Sequence, residues 1–252
     1  MKIISFITEK GGVGKTTGAR EIAGMLALNY NKKVLMIDCD FQENLSNSFS
    51  YENTENKNIY NAFVNKDLKS NIVEIEKNID LIPGCLEIKD LDTVLEVKID
   101  NDFFFKKELP KLDYDVVVID CRPDMKLIER NALKASDYVI TPMEPHHFSM
   151  KGFDLVERFI KGVKTDLNTP FIHLGYLSRV PIDKAFTERL EGIKDQYSDV
   201  LLKTNIRENT KLKECSMDGY FIGEYSPTCN GSKDFKKLTE ELIERWQRNH
   251  QE

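Results

Sequence analysis

The stretch EKGGVGKTT, residues 9–17, constrains this chain more than any other. It follows the apolar run 3–7 and leads straight into a helical pattern. Gly11, Gly12 and Gly14 remove side chains where backbone N–H groups can approach an anion. The helix opening near Lys15 and Thr16 adds the partial positive charge of its N-terminus. In such a loop the lysine, here Lys15, reaches the β- and γ-phosphates, and the hydroxyl, here Thr16, ligates Mg²⁺. The general pattern G-x-x-x-x-G-K-[ST] asks for a first glycine where this chain has Glu9. The next residue, Lys10, is a second lysine in the loop. A string of this kind arises by chance on the order of once per 10⁷ positions. A glycine-rich turn without a ligand is therefore a poor account of it.

The rest of the chain supplies the strands and helices such a loop requires. Runs 3–7, 34–37 and 116–119 are near-continuous and rich in β-branched residues, as strands buried on both faces of a parallel sheet are. A fourth run covers 138–141, and weaker ones cover 79–82, 171–176 and 200–202. Helical spacing covers 16–28, 149–163, 184–194 and 234–246. Alternating strands and helices predict a three-layer α/β/α fold of the P-loop NTPase kind, with a mostly parallel central sheet. No repeat, linker or composition break interrupts the 252 residues, so a single domain over 1–252 is expected. The Asn-, Ser- and Glu-rich stretch 43–61 reads as an irregular surface segment, placed where a nucleotide-sensing switch is expected.

Composition excludes several classes. The formal net charge of −6 gives no global pull toward nucleic acid, so DNA binding would need a local basic patch. The five cysteines are odd in number and none are spaced C-x-x-C, which argues against a disulfide framework or a zinc site and for a cytoplasmic location. No apolar run approaches the ~20 residues needed to span a bilayer.

Three acids stand at strand ends. Asp38 and Asp40, in VLMIDCDFQ, are two apart, so on an extended chain both point toward the phosphates. Asp120 ends VVVIDC, the position of a Mg²⁺-side carboxylate; Asp40 is a further candidate ligand.

These segments carry a resemblance. KGGVGKTT, VLMIDCDFQENLS and YDVVVIDC resemble the deviant-Walker ATPases of the ParA/MinD group, and looser matches continue through ALKASDYVITPMEPHHFSMKG and NIRENTKLKE. The resemblance implies ATP and Mg²⁺ as ligands, with Lys10, Gly11, Gly12, Val13, Gly14, Lys15, Thr16 and Thr17 forming the nucleotide loop. It implies that Lys10 reaches the nucleotide of a partner subunit, that Asp40 orients the attacking water with support from Asp38, and that Asp120 acts on Mg²⁺ through water. The chain departs from the group at Phe41, Glu43 and Leu45, at Arg122 and Asp124, and at Arg207 and Glu208.

Within the group, the small Soj-like partition ATPases match best. That reading implies weak intrinsic ATP hydrolysis, an ATP-dependent homodimer, nonspecific DNA binding with nucleoid association in the ATP form, and stimulation by a ParB-like centromere-binding protein. Lys203, Arg207, Lys211 and Lys213 are the candidate DNA contacts, and phosphate contacts of this kind carry no sequence specificity. A MinD-like membrane-associated positioning ATPase is the alternative. The last helix balances acids and bases behind Phe235, Leu238, Leu242 and Trp246, which predicts packing on the core and no membrane binding. A redox relative would need cluster-holding cysteines, and Cys39 and Cys121 merely abut the strand-end acids. The pair His146–His147 is a weak metal candidate.

Overall fold

The apolar runs become strands because both faces of the sheet they form are covered. The computed structural model describes residues 1–8, 11–95, 103–122, 127–145, 154–155, 157–158, 160–162, 164–165, 169–183, 190, 194–195 and 197–248. Seven strands lie in the order β3-β4-β2-β5-β1-β6-β7: β1 Lys2–Phe6, β2 Val34–Asp38, β3 Val73–Glu76, β4 Ile79–Ile82, β5 Val116–Asp120, β6 Tyr138–Met143 and β7 Ile172–Leu177. Every neighbouring pair is parallel except the β3–β4 hairpin. Alternate residues feed two cores. Ile4, Phe6, Val34, Met36, Val116 and Val118 join the cluster that includes the first and last helices. Ile3, Leu35, Ile37, Val117 and Ile119 join the cluster on the opposite face, with Phe63, Phe105 and Ile128. A strand that is apolar at every position has thus lost its alternation for a structural reason.

Helix α1, Lys15–Tyr30, runs back from the loop and packs against the last helix, Asn230–Arg248. The last helix buries Phe235, Leu238, Leu242 and Trp246, so the apolar stripe expected to face the core does so. No described helix is long and apolar enough to cross a membrane.

The structure corrects two expectations and adds a strand. Residues 200–202 make only a single bridge, Leu201 to Gly175, because the chain arrives through a turn in which Leu201 N–H donates to the Tyr197 carbonyl at 2.7 Å. The edge strand β3 was hidden by its acids: Glu74 and Glu76 keep an edge polar and discourage further pairing. Stretch 43–61 is not wholly a surface segment, since Leu45, Ser46, Ser48 and Phe49 are buried and Asn58 caps the helix Ile59–Asn65. Of the expected helix 184–194 only 190 and 194 are described, and of 149–163 the residues 154–155, 157–158 and 160–162, all helical; Lys10, Asp124 and His146–His147 lie outside the described residues.

Candidate nucleotide site

The loop before α1 is shaped by two left-handed glycines. Gly12 has φ 81° and Gly14, the N-cap of α1, has φ 95°. Either position would strain a residue carrying a side chain. No side chain caps the start of α1, so its first N–H groups remain for a ligand. A Cβ on Gly11 or Gly12 would meet no described atom within 4 Å, so the space over the loop is open. A cavity of about 310 Å³ lies there, lined by Gly11, Gly12, Gly14, Lys15, Thr16, Thr17, Asp40, Gln42, Asn44, Arg179 and Ser216. Val13 is buried and offers only its backbone.

Register brings the acids to this opening. Asp38 and Asp120 are paired neighbours on β2 and β5, and Phe6 of β1 pairs with Asp120 on its other side. Asp120, 0% exposed, accepts from Lys15 Nζ at 2.8 Å and from Thr16 Oγ1 at 2.7 Å. Burial pushes the Lys15 ammonium down, but Asp120, and after it Asp40, hold it above its ordinary value. Thr16 and Asp120 make an oxygen pair suited to Mg²⁺, with Asp40 on the wall of the same cavity. Among the described residues no three or more His, Cys, Asp or Glu side chains converge on a metal. An ion here would draw on phosphate and water oxygens, as Mg²⁺ does.

Of Asp38 and Asp40, both expected to face the phosphates, only Asp40 lines the cavity. The chain leaves β2 at Asp38 and turns, which ends the two-residue alternation. Asp38 then spends its carboxylate on the turn, accepting from Asp40 N–H at 3.0 Å, Ser46 N–H at 2.9 Å and Ser46 Oγ at 2.7 Å. Burial and the adjacent Asp120 push the Asp38 carboxyl up to about 7, against those donors. Asp40 Oδ1 accepts from Gln42 N–H at 3.0 Å, and Gln42 in turn accepts from Asn44.

The departures from the family pattern have structural counterparts. Glu43 has φ 56°, so a non-glycine residue occupies a conformation that favours glycine. Lys89 lies over the Phe41 ring, 4.4 Å from its centroid. Arg122 forms a buried ion pair with Glu129. Arg207, one of the candidate DNA contacts, is held by Asp234 through Nε at 2.9 Å and Nη2 at 2.6 Å. Lys203, Lys211 and Lys213 are exposed. Cys39 and Cys121 are buried, and burial holds both thiols well above their ordinary range, which makes them inert.

Sequence reasoning missed the second half of the site. A cavity of about 630 Å³ adjoins the first and shares Gly14, Thr17, Arg179 and Ser216 with it. Its apolar wall comes from Tyr176, Ile206, Leu212, Met217 and Phe235. An apolar pocket beside a phosphate loop suits the base and sugar of a nucleotide. β7 and the residue after it also brace the loop: Ser178 Oγ donates to the Val13 carbonyl at 2.6 Å and Tyr176 OH to the Gly14 carbonyl at 3.4 Å. The one available signal was that ligands bind beyond the carboxyl ends of parallel strands, which includes β7.

Comparison with known proteins agrees with this geometry. The AAA domain family model matches residues 1–172. The chromosome-partitioning ATPase Soj of Treponema pallidum is 29% identical, over 97% of this chain and 98% of its own length. A putative plasmid partition protein from Borrelia burgdorferi, solved bound to AMPPNP, superposes with a TM-score of 0.81 at 29% identity, over 97% of this chain and 99% of that one. The fold extends to cobyrinic acid a,c-diamide synthase from Mycobacterium smegmatis, with a TM-score of 0.83 at 21% identity, over 98% of this chain and 95% of that one. The chain therefore belongs to the AAA domain family, and within it is similar over nearly its whole length to ParA/Soj-type partition ATPases.

Proposed function

We propose that this chain is a Mg²⁺-dependent ATP hydrolase of the DNA-partition type, working as a single domain with weak intrinsic turnover. The observation that carries the reading is the cluster of Lys15, Thr16 and Asp120 beneath an open glycine loop, beside a second, apolar-walled cavity. Lys15 and the N–H groups at the start of α1 bind phosphate oxygens. Thr16, and Asp120 through water, hold Mg²⁺, which when bound supplies positive charge to the phosphate oxygens. Asp40, on the cavity wall, orients the attacking water, while Asp38 holds the turn that presents Asp40. Phosphoryl transfer depends mostly on such positioning and charge stabilisation.

The family resemblance supports the further steps. Lys10 reaches the nucleotide of a second subunit, so that ATP drives dimerisation. The dimer binds DNA without sequence preference through Lys203, Lys211 and Lys213, and associates with the nucleoid within the cytoplasm. A ParB-like protein stimulates hydrolysis and releases it. A binding assay against random DNA and anionic vesicles, with MgATP or MgADP, tests the reading. The expected outcome is DNA binding only with MgATP, lost at high salt and lost in Lys10→Ala. Vesicle binding without DNA binding would replace partition with membrane association.

A further inference from the structure

Helix α1 carries a buried ion pair that lines neither cavity of the nucleotide site. Arg20 and Glu21 are each 1% exposed and are bonded to one another. The Arg20 guanidinium lies against the rings of both Phe49 and Phe221, 4.8 and 4.9 Å from their centroids, and the two rings also meet each other, their centroids 5.3 Å apart. Its Nε donates to Ser48 Oγ at 3.1 Å, and Nη2 donates to the Tyr220 carbonyl at 2.6 Å. Glu21 Oε2 accepts from the Ile222 N–H at 2.8 Å. Gly24 lets Phe221 close on the helix, because a Cβ there would come within 2.3 Å of the ring.

The partners of this pair come from two different walls of the nucleotide site. Ser48 and Phe49 end the turn that starts at Asp40 and carries Gln42 and Asn44 into the phosphate cavity. Tyr220, Phe221 and Ile222 follow the helix Lys211–Met217, which supplies Leu212, Ser216 and Met217 to the apolar cavity. One planar side chain with five donors reaches both, beside the direct contact of Phe49 with Phe221. A buried ion pair stabilises little compared with apolar side chains of the same volume. What it adds is geometry: Arg20 holds both segments at a fixed distance from α1, the helix whose first turn binds phosphate.

We propose that Arg20 is a positioning residue that ties the phosphate-side loop 42–49 to the base-side segment 211–222, so that a nucleotide engaging one wall orders the other. The proposal rests on the nucleotide reading above. Hydrogen exchange of the full chain with and without saturating MgADP tests it, in the wild type, in Ser48→Ala and in the double variant Arg20→Met/Glu21→Gln. MgADP is the probe because it lacks the γ-phosphate that the Asp40 wall would meet. Ser48→Ala keeps the ion pair and the contact of Arg20 with the Phe49 ring, and removes the Ser48 Oγ bonds to Arg20 Nε and to the Leu45 carbonyl; thermal melting confirms that each variant is folded. In the wild type MgADP slows exchange at 11–17, at 211–222 and at 42–49. In both variants the first two persist, while protection at 42–49 falls by about 5-fold or more, the lower range of site-to-site coupling. Turnover of MgATP falls in kcat, with KM within about twofold, as loss of positioning alone requires. Equal protection of 42–49 in all three proteins would overturn the proposal. Absence of protection at 11–17 in the wild type would instead remove the nucleotide reading, and the proposal with it.

Discussion

The phosphate side and the base side of the candidate site are built in opposite ways. The phosphate side is local: three glycines, Lys15 and Thr16 lie within six residues, and the acids stand at the ends of adjacent strands. It binds through backbone N–H groups and a few charges, which require particular residue types at set spacings. The base side is assembled from β7, residues 206–217 and the last helix, and binds through shape and apolar area. Many side chains serve that purpose. One half of a binding site can therefore be written as a motif, while the other exists only after folding.

Substitutions can break or sharpen this contrast. The largest effect is expected from Lys15→Ala, which removes a charged hydrogen bond to phosphate. Affinity for MgATP and for magnesium tripolyphosphate should both fall by about 10- to 150-fold, read by calorimetry, since a charged hydrogen bond contributes about 1.5–3 kcal/mol. Asp38→Asn should come next, costing about 1–3 kcal/mol through loss of an acceptor for Ser46. It should also flatten the pH dependence of stability. The Asp38 carboxyl lies at about 7 when folded and near 3.8 when free. Between those values the folded state binds the extra proton, so the group's contribution to stability is full below the free value and is lost as pH rises toward 7. Urea midpoints between pH 4 and 8 should show that decline in the wild type and a smaller one in the variant. Leu212→Ala should separate the two sides. Affinity for MgATP should drop by about 3- to 10-fold through lost apolar area, while affinity for magnesium tripolyphosphate stays unchanged; equal losses would refute the division. The smallest effect is expected from Glu43→Gly. Relief of the left-handed strain is offset by greater freedom of the unfolded chain, leaving a net change under about 1 kcal/mol by denaturant titration.

Six of the seven strands were legible because burial on two faces leaves continuous apolar runs, as in Val116–Asp120. β3 was not, because an edge strand carrying Glu74 and Glu76 satisfies only one core. The acids at 38, 40 and 120 were legible as strand ends. Their separate duties were not, because alternation stops where the chain turns, and only the turn reveals that Asp38 faces Ser46. Nothing in the sequence sets Arg20 apart from any other polar residue on a helix. Its burial depends on Phe49 and Phe221, which lie 29 and 201 positions away in sequence.

The pairing of Lys15 with Asp120 has a consequence for how the site fills. An arriving triphosphate does not meet an idle lysine; it competes with a carboxylate for one, so occupancy is an exchange of anions. Each such exchange would leave Asp120, which is wholly enclosed, without its cation and with Thr16 Oγ1 as a neutral donor. A stranded buried charge is costly, so the vacated carboxylate becomes a strong attractor for a cation. On the proposed function, metal and triphosphate would thereby be thermodynamically linked, each raising the affinity for the other. A bare triphosphate would leave the exchange half finished.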